Sequence, residues 1–295
     1  MITNKLNLPL PIVEAIKNRL YSPGESDVTV TGLIAPVQQT VLKQRHADEL
    51  VEDAADRIYS LQGESIHTIL ERAGKGLEDY IVEERFYYTY KGVKLGGQID
   101  IFDKRHGILQ DYKVTSVYSV RDGLKEEYVK QANINAFILR HNGYKVDGLQ
   151  IVAILRDWRK MERERDVADS KARGYRPRYP EHQVVLLPVP MIPDEEVQAY
   201  IHERINLHIK AKHQTDAELP PCSAEERWAR DSMFAVMSPD KKKAVKLFPS
   251  EEEAKIFIHD SKELYVQERP GTNVRCENYC DAKLFCSQYK KLKGE

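Results

Sequence analysis

The run at 96–113 reads GGQIDIFDKRHGILQDYK. Asp100 ends one predicted strand, and after ten intervening residues Asp111 and Lys113 stand two apart on the next. Residues i and i+2 of a strand face the same side, so Asp111 and Lys113 project together. A turn at Arg105-His106-Gly107 folds the first strand against the second and brings Asp100 to the same end. Two carboxylates and an amine then converge, which is what phosphodiester cleavage needs. Carboxylate oxygens hold hard ions such as Mg²⁺ or Mn²⁺. Such an ion acidifies a bound water and offsets charge growing on the phosphate. A nearby lysine orients or deprotonates the water, or stabilises the transition state. Taken as spacing alone, the pattern also suits a solvated hairpin with ordinary surface charges. The flanks weigh against that: Ile99, Ile101, Phe102, Ile108, Leu109 and Val114 set the acids on largely buried strands, where an unpaired carboxylate is costly.

A second set of reactive side chains lies late in the chain. Cys222, Cys276, Cys280 and Cys286 all fall in the last quarter. In a reducing compartment such a group reads as metal binding rather than disulfides. Four thiolates hold either a 4Fe–4S cluster or a tetrahedral zinc. Zinc ribbons usually offer two close pairs, whereas here one cysteine stands apart from three.

The elements that must position these groups follow from periodicity. Ile12, Val13, Ile16 and Leu20 recur at helical spacing, as do Leu50, Ala54, Ile58 and Leu61, and a short helix carries His67 over about 65–73. The period then shortens. Residues 82–90, 93–103 and 108–114 read as three consecutive antiparallel strands, with Lys91-Gly92 as the first turn. A helix is predicted over 125–141, strands over 146–155 and 182–189, and a helix from Asp194 to Lys212. Beyond Pro220-Pro221 a hairpin is expected at 232–248, then a helix opened by the capping box Ser250-Glu251-Glu252-Glu253 and running to about Lys262. This gives a helical part at 1–80, a core at 81–215 and a cysteine-bearing region at 216–295.

With 41% apolar and 31% charged residues, the composition is that of a folded globular chain. No apolar run is long enough for a membrane span, and the N-terminus lacks the apolar block of a secretory signal, so a cytoplasmic location is expected. The balance of 45 basic against 46 acidic residues argues against a protein that simply coats phosphates. Residues 156–178 are the basic exception, with Arg156, Arg159, Lys160, Arg163, Arg165, Lys171, Arg173, Arg176 and Arg178, interleaved with Trp158, Tyr175 and Tyr179 nearby. That composition suits a groove for a single strand or a DNA end, and equally a solvated helix with i,i+4 ion pairs.

Taken in order, these motifs resemble the RecB-like branch of the PD-(D/E)xK nucleases, which includes lambda-type exonucleases and CRISPR-associated nucleases with iron–sulfur clusters. The resemblance rests on Gly63-Glu64-Ser65-Ile66-His67 for a helical G-x-x-x-H, and on a first-strand glutamate, Glu83 or Glu84. It continues through Gly97-Gln98-Ile99-Asp100, Asp111-Tyr112-Lys113 and Gln131. The stretches at 149–158 and 220–228 look like a phage-associated subgroup. Three features depart from the family: Asn135 stands where a tyrosine is common, the gap between Cys276 and Cys280 is one residue longer than usual, and the separate cysteine follows the core instead of preceding it near a segment like 31–36.

The resemblance implies an α/β, restriction-endonuclease-like core, a central mixed sheet flanked by helices, with a C-terminal iron–sulfur appendage. It implies His67, Asp100, Asp111 and the Tyr112 carbonyl as ligands of Mg²⁺ or Mn²⁺. Lys113 would position or activate water, with Gln131 orienting it and Glu83 or Glu84 contributing to catalysis. Cys222, Cys276, Cys280 and Cys286 would hold a 4Fe–4S cluster, with zinc as the alternative. The expected activity is hydrolysis at DNA ends in recombination, repair or phage DNA processing, and a recombinase or single-strand-binding protein is an expected partner. An endonuclease, a CRISPR-adaptation nuclease and a DNA-binding scaffold with a retired site are the alternatives.

Overall fold

A two-residue turn at Lys91-Gly92 needs positive φ at both positions, and both have it (48° and 76°). It joins two eleven-residue strands, the longest in the chain, whose register runs from Tyr80↔Asp103 to Tyr90↔Val93. The computed structural model describes residues 1–18, 22–121, 123–259, 261 and 263–294; Leu20 and Lys262, expected in helices, lie outside the described residues. The chain divides into two units, Met1–Ile34 with Val51–Ile209, and Ala35–Leu50 with Lys210–Glu295.

The main elements of the first unit are α1 (Leu10–Lys17), β1 (Val28–Thr29), α2 (Ile58–Gly74), β2 (Tyr80–Tyr90), β3 (Val93–Asp103) and β4 (Ile108–Thr115). They continue with α3 (Glu126–His141), β5 (Gly148–Leu155), α4 (Lys160–Arg173), β6 (Val184–Val189) and α5 (Asp194–Lys212). The strands form one mixed sheet in the order β1-β3-β4-β5-β6, with β2 also paired to β3. The β2–β3, β3–β4 and β5–β6 pairs are antiparallel, while β1–β3 and β4–β5 are parallel. A parallel pair needs a crossover, and α3 supplies the one between β4 and β5. Buried Leu149, Ile151, Ala153 and Leu155 alternate along β5, as a period of two requires. Residues 132–139 of α3 are all buried, so this helix is enclosed on every side. Its Phe137, Ile138 and Leu139 join Ile81, Phe102, Leu109 and Ile151 of the sheet and Val197, Ile201 and Ile205 of α5 in the main core. The α2 helix packs against the other face, where Gly74 meets Val82, the neighbour of Ile81 on β2.

The expected helical pattern from Leu50 gives way locally. Glu52–Asp53 pairs with Ile2–Thr3 as a short parallel bridge. The Asp53 carboxylate accepts from Thr3 Oγ1 (2.7 Å), Lys5 N (3.0 Å) and Ala55 N (3.1 Å). This N-cap opens a short 3-10 helix over Ala54–Arg57, and the α-helix begins only at Ile58. The predicted 65–73 helix is the second half of α2.

Two adjacent glycines, Gly96 and Gly97, allow close approach ahead of Asp100 on β3. A Cβ on Gly97 would stand 2.4 Å from Asn135 Oδ1 and 3.1 Å from Ile138 Cδ1. Gly97→Ala therefore overpacks the α3–β3 contact and should cost ~1–3 kcal/mol. Gly63, in the middle of α2, has nothing within 4 Å of its virtual Cβ, so Gly63→Ala should stabilise by up to ~1 kcal/mol. Thermal unfolding of the two variants should move in opposite directions; a shared direction would contradict this packing.

In the second unit, Met233–Met237 lies between Lys246–Phe248 and Tyr265–Arg269, antiparallel to both. The hairpin matches the expectation, and the third strand adds to it. Ser250 Oγ accepts from Glu253 N (3.2 Å) to cap the Glu251–Ile258 helix. Among the described residues, no helix is long and apolar enough to cross a membrane.

Candidate functional site

One edge of β3 is divided between two partners. β1 takes it at Leu95 and Gly96, β4 takes it at Ile101–Asp103, and residues 97–100 between them pair with neither. β3 and β4 therefore part at Asp100. The Asp100 carboxylate fills this fork, its Oδ2 accepting the Tyr112 backbone N–H at 2.6 Å. Opposite, the β2–β3 register continues unbroken on both sides of Glu83 but omits that residue. Glu83 has a φ of 51°, a left-handed backbone costing a non-glycine residue ~1–3 kcal/mol and found mainly where function holds it.

That distortion places Glu83 beside His67 of α2. His67 Nδ1 lies 3.1 Å from Glu83 Oε1 and 3.6 Å from Asp100 Oδ1. Among the described residues, His67, Glu83 and Asp100 are the one trio of ligand-type side chains whose donor atoms lie within 4.8 Å of one another. Glu84, the other glutamate weighed from sequence, is exposed and outside the cluster. Tyr112 sets its ring edge-on to His67, centroids 6.1 Å apart.

The remaining groups stand one strand over. Asp111 is buried, and the Lys113 ammonium lies 2.6 Å from its Oδ2. Gln131 of α3 closes the set: its Oε1 accepts from Lys113 Nζ (3.1 Å) and its Nε2 donates to Asp111 Oδ1 (2.9 Å). Tyr128, one turn earlier, presents its ring to the same ammonium at 5.4 Å. Two supports were missed in the sequence. Gln98 Nε2 donates to Glu83 Oε2 (2.6 Å), and Arg85 donates to Gln98 Oε1 (2.5 Å). Gln98 sits two residues before Asp100 on the same strand, so strand parity was the signal available for it.

Burial, then the neighbouring Asp111 charge, pushes the Asp100 carboxyl up to about 7, against the pull of His67 and Lys113. The His67 imidazole is raised by its hydrogen bond to Glu83 and by the charge of Asp100, with burial opposing. Burial pulls the Lys113 ammonium down, but Asp111 and Asp100 outweigh it and leave its pKa above the ordinary lysine value. Concentrated negative charge at low exposure is what a divalent cation relieves. The donor set is carboxylate oxygen and imidazole nitrogen, and Asp111 Oδ2 is buried against the Lys113 ammonium. These residues fit a hard divalent ion.

The four cysteines, all unbridged, lie in the second unit. They line one cavity with Gln38, Gln39, Leu42, Lys283, Gln288 and Tyr289. Cys222, distant in sequence, is held by both ends of one amide: its N–H donates to Gln288 Oε1 (2.9 Å) and its carbonyl accepts from Gln288 Nε2 (2.9 Å). Cys286 Sγ accepts from Tyr289 N (3.4 Å). Burial pushes the Cys222 thiol up to about 12 and raises Cys276 and Cys280 as well. Thiols raised by burial become thiolates only with a compensating cation. No three of these sulfurs lie within 4.8 Å of one another. Four sulfurs on one zinc, each at ~2.3 Å in tetrahedral array, would be ~3.8 Å apart. Four thiols lining one cavity fit a metal group held through sulfur.

The basic stretch is partly consumed by its own structure. Trp158 Nε1 donates to Pro180 O (2.9 Å) and Tyr179 OH accepts from Arg159 N (2.8 Å), both rings packing on Val117, Val120, Ala153 and Leu155. Arg163 donates to Tyr179 O, while Lys160–Glu164 and Arg165–Glu162 are ion pairs along α4. Arg156 differs. Its backbone N–H donates to Thr115 O at the end of β4, and its guanidinium lies 4.1 Å above the ring of the exposed Tyr59 on α2.

No family model and no curated protein matches the chain. Among solved structures it is similar to one described as "Crystal structure of SSO0001", with 14% identity and a TM-score of 0.45 over 66% of this chain and 84% of the other.

Proposed function

We propose that this chain is a divalent-metal-dependent deoxyribonuclease of the PD-(D/E)xK type, acting as an exonuclease at DNA ends in recombination, repair or phage DNA processing. The observation that carries the reading is the fork between β3 and β4, where Asp100, Glu83 and His67 meet beside the Asp111–Lys113–Gln131 group. His67, Glu83, Asp100 and Asp111, with the Tyr112 carbonyl, would hold Mg²⁺ or Mn²⁺. Bound there, the ion supplies an acidified water and a counter-charge for the phosphate.

The side chains divide the remaining work. Lys113 keeps its proton beside two carboxylates, which suits it to positioning water and stabilising phosphate charge rather than to abstracting a proton. Gln131 bonds to both the ammonium and the Asp111 carboxylate and so fixes their relative position. The Gln98–Glu83 bond orients the carboxylate of Glu83, whose backbone is left-handed. Arg156 on Tyr59 offers a cation and a ring face two residues past Lys113 along the sheet, where a DNA strand leaving the centre would meet phosphate and base contacts. The four cysteines would hold a 4Fe–4S cluster, which supplies folding free energy to the second unit.

Lys113→Met removes the charge and keeps the length. It should lower kcat for linear DNA by at least ~10²-fold with little change in KM, as expected for a group acting in the transition state. Gel assays with Mg²⁺ over a range of DNA concentrations measure this. An unchanged kcat would remove Lys113 from the chemistry and with it the proposed site.

A further inference from the structure

Gln38 lies on the Val37–Arg45 helix and is 2% exposed. Burying a primary amide is costly unless its polar atoms are used. Its Oε1 meets the Cys286 sulfur at 3.5 Å and the Cys222 sulfur at 3.6 Å. With all four cysteines protonated, the thiols donate and the amide oxygen accepts.

That arrangement cannot persist once the sulfurs bind a cation. Thiolates have no hydrogen to give, and a carbonyl oxygen would then face two negative sulfurs, at a cost of ~1–3 kcal/mol for the unsatisfied acceptor alone. Rotating the terminal amide by about 180° exchanges Oε1 for Nε2 without moving any other atom and turns its N–H donors to the same sulfurs. Two other polar side chains of the cavity are engaged elsewhere. The Gln288 amide pairs with the Cys222 backbone at both ends, and Lys283 Nζ donates to Glu277 O (2.8 Å).

We propose that Gln38 is a side-chain hydrogen-bond donor to the sulfurs of Cys222 and Cys286 when the four-cysteine site is filled, adding to the Tyr289 N–H on Cys286, and that it shifts the bound cluster toward its reduced form. The proposal rests on the reading that the cysteines hold an iron–sulfur cluster. Donors to ligand sulfurs draw off negative charge, and reduction adds more of it, so the reduced state gains most. Gln38 is thus a positioning residue for the cysteine ligands and touches no DNA-cleaving group.

The full-length chain, purified anaerobically, provides the test. Gln38→Met preserves volume without a donor, and Gln38→Glu puts a carboxylate against the sulfurs. Wild type and Gln38→Met should carry equal iron. At a fixed dithionite-set potential, the reduced-to-oxidised ratio read by visible absorption and EPR should be about tenfold lower in Gln38→Met. Gln38→Glu should lose most of its iron at pH 8. A Gln38→Met ratio within twofold of wild type would overturn the proposal while leaving the cluster in place. A wild type without iron would overturn the cluster reading itself, and the role of Gln38 with it. If Gln38→Met does not fold, pulsed EPR of the reduced wild type in H₂O and D₂O decides. An exchangeable amide proton coupled to the cluster is expected, and its absence refutes the donor role.

Discussion

Asp100→Asn should abolish the proposed metal-dependent DNA cleavage and, in the metal-free protein, raise stability at pH 8. The first effect follows from the fork. Asp100 is the side chain that both faces His67 and Glu83 and accepts the Tyr112 amide, so an amide in its place cannot give a charged ligand oxygen. Loss of at least ~10³-fold in kcat, equivalent to ~4 kcal/mol in the barrier, is expected. The second effect follows from linkage. The folded carboxyl titrates at about 7, against roughly 4 in an unfolded chain. Between these values the folded state holds a proton that the unfolded state has released, so stability falls as pH rises from about 4 to 7. His67 adds in the same direction: its raised pKa gives stability present at low pH and lost as pH passes the folded value. After removal of divalent ions, wild type should melt lower at pH 8 than at pH 5.5, by a difference on the order of 2 kcal/mol. Asp100→Asn should reduce that difference, and Mn²⁺ should remove it in wild type alone. Equal pH profiles for the two proteins in thermal unfolding would contradict a charge-strained centre.

Cys276→Ala should bleach the protein and unfold its second unit at a much lower temperature. Cys276 makes no hydrogen bond among those described, so its loss reports on liganding more cleanly than Cys286, whose sulfur also accepts from Tyr289 N. The second unit has a small core around Val236, Phe248 and Ala254. Bound metal is folding free energy for such a region. Losing even ~3 kcal/mol of it lowers the midpoint by more than about 10 °C in a unit of this size. Iron analysis and scanning calorimetry of the anaerobic proteins measure both effects. Colourless wild type with one zinc per chain, or Cys276→Ala with unchanged iron, would contradict the cluster.

Much of the site was legible because strand parity is local. Asp111 and Lys113 share a face by spacing alone, and the apolar flanks of Asp100 mark a buried strand. The α3 periodicity placed Gln131 on the helix after β4. What was not legible is long-range or conformational. Nothing in the sequence distinguishes Glu83 from Glu84, because the left-handed φ at Glu83 is set by the cluster it joins. The parting of β3 from β4 arises because β1 captures Leu95 and Gly96, and no pattern in 93–103 reports a two-residue strand some sixty residues away. Asn135 is buried against Gly97, and its Oδ1 has no hydrogen-bond partner among the described residues. Residues 35–50, read with the N-terminal helices, belong instead to the cysteine unit, and only tertiary contact brings Gln38 to Cys222.

The most direct test of the metal centre is digestion of linear and covalently closed circular DNA, single- and double-stranded, by the anaerobic wild type with Mg²⁺, Mn²⁺ or EDTA. The account predicts progressive loss of linear DNA with either metal, survival of the closed circles, and no loss in EDTA. Digestion that persists in EDTA, or metal-loaded protein that leaves every linear substrate intact, would contradict it.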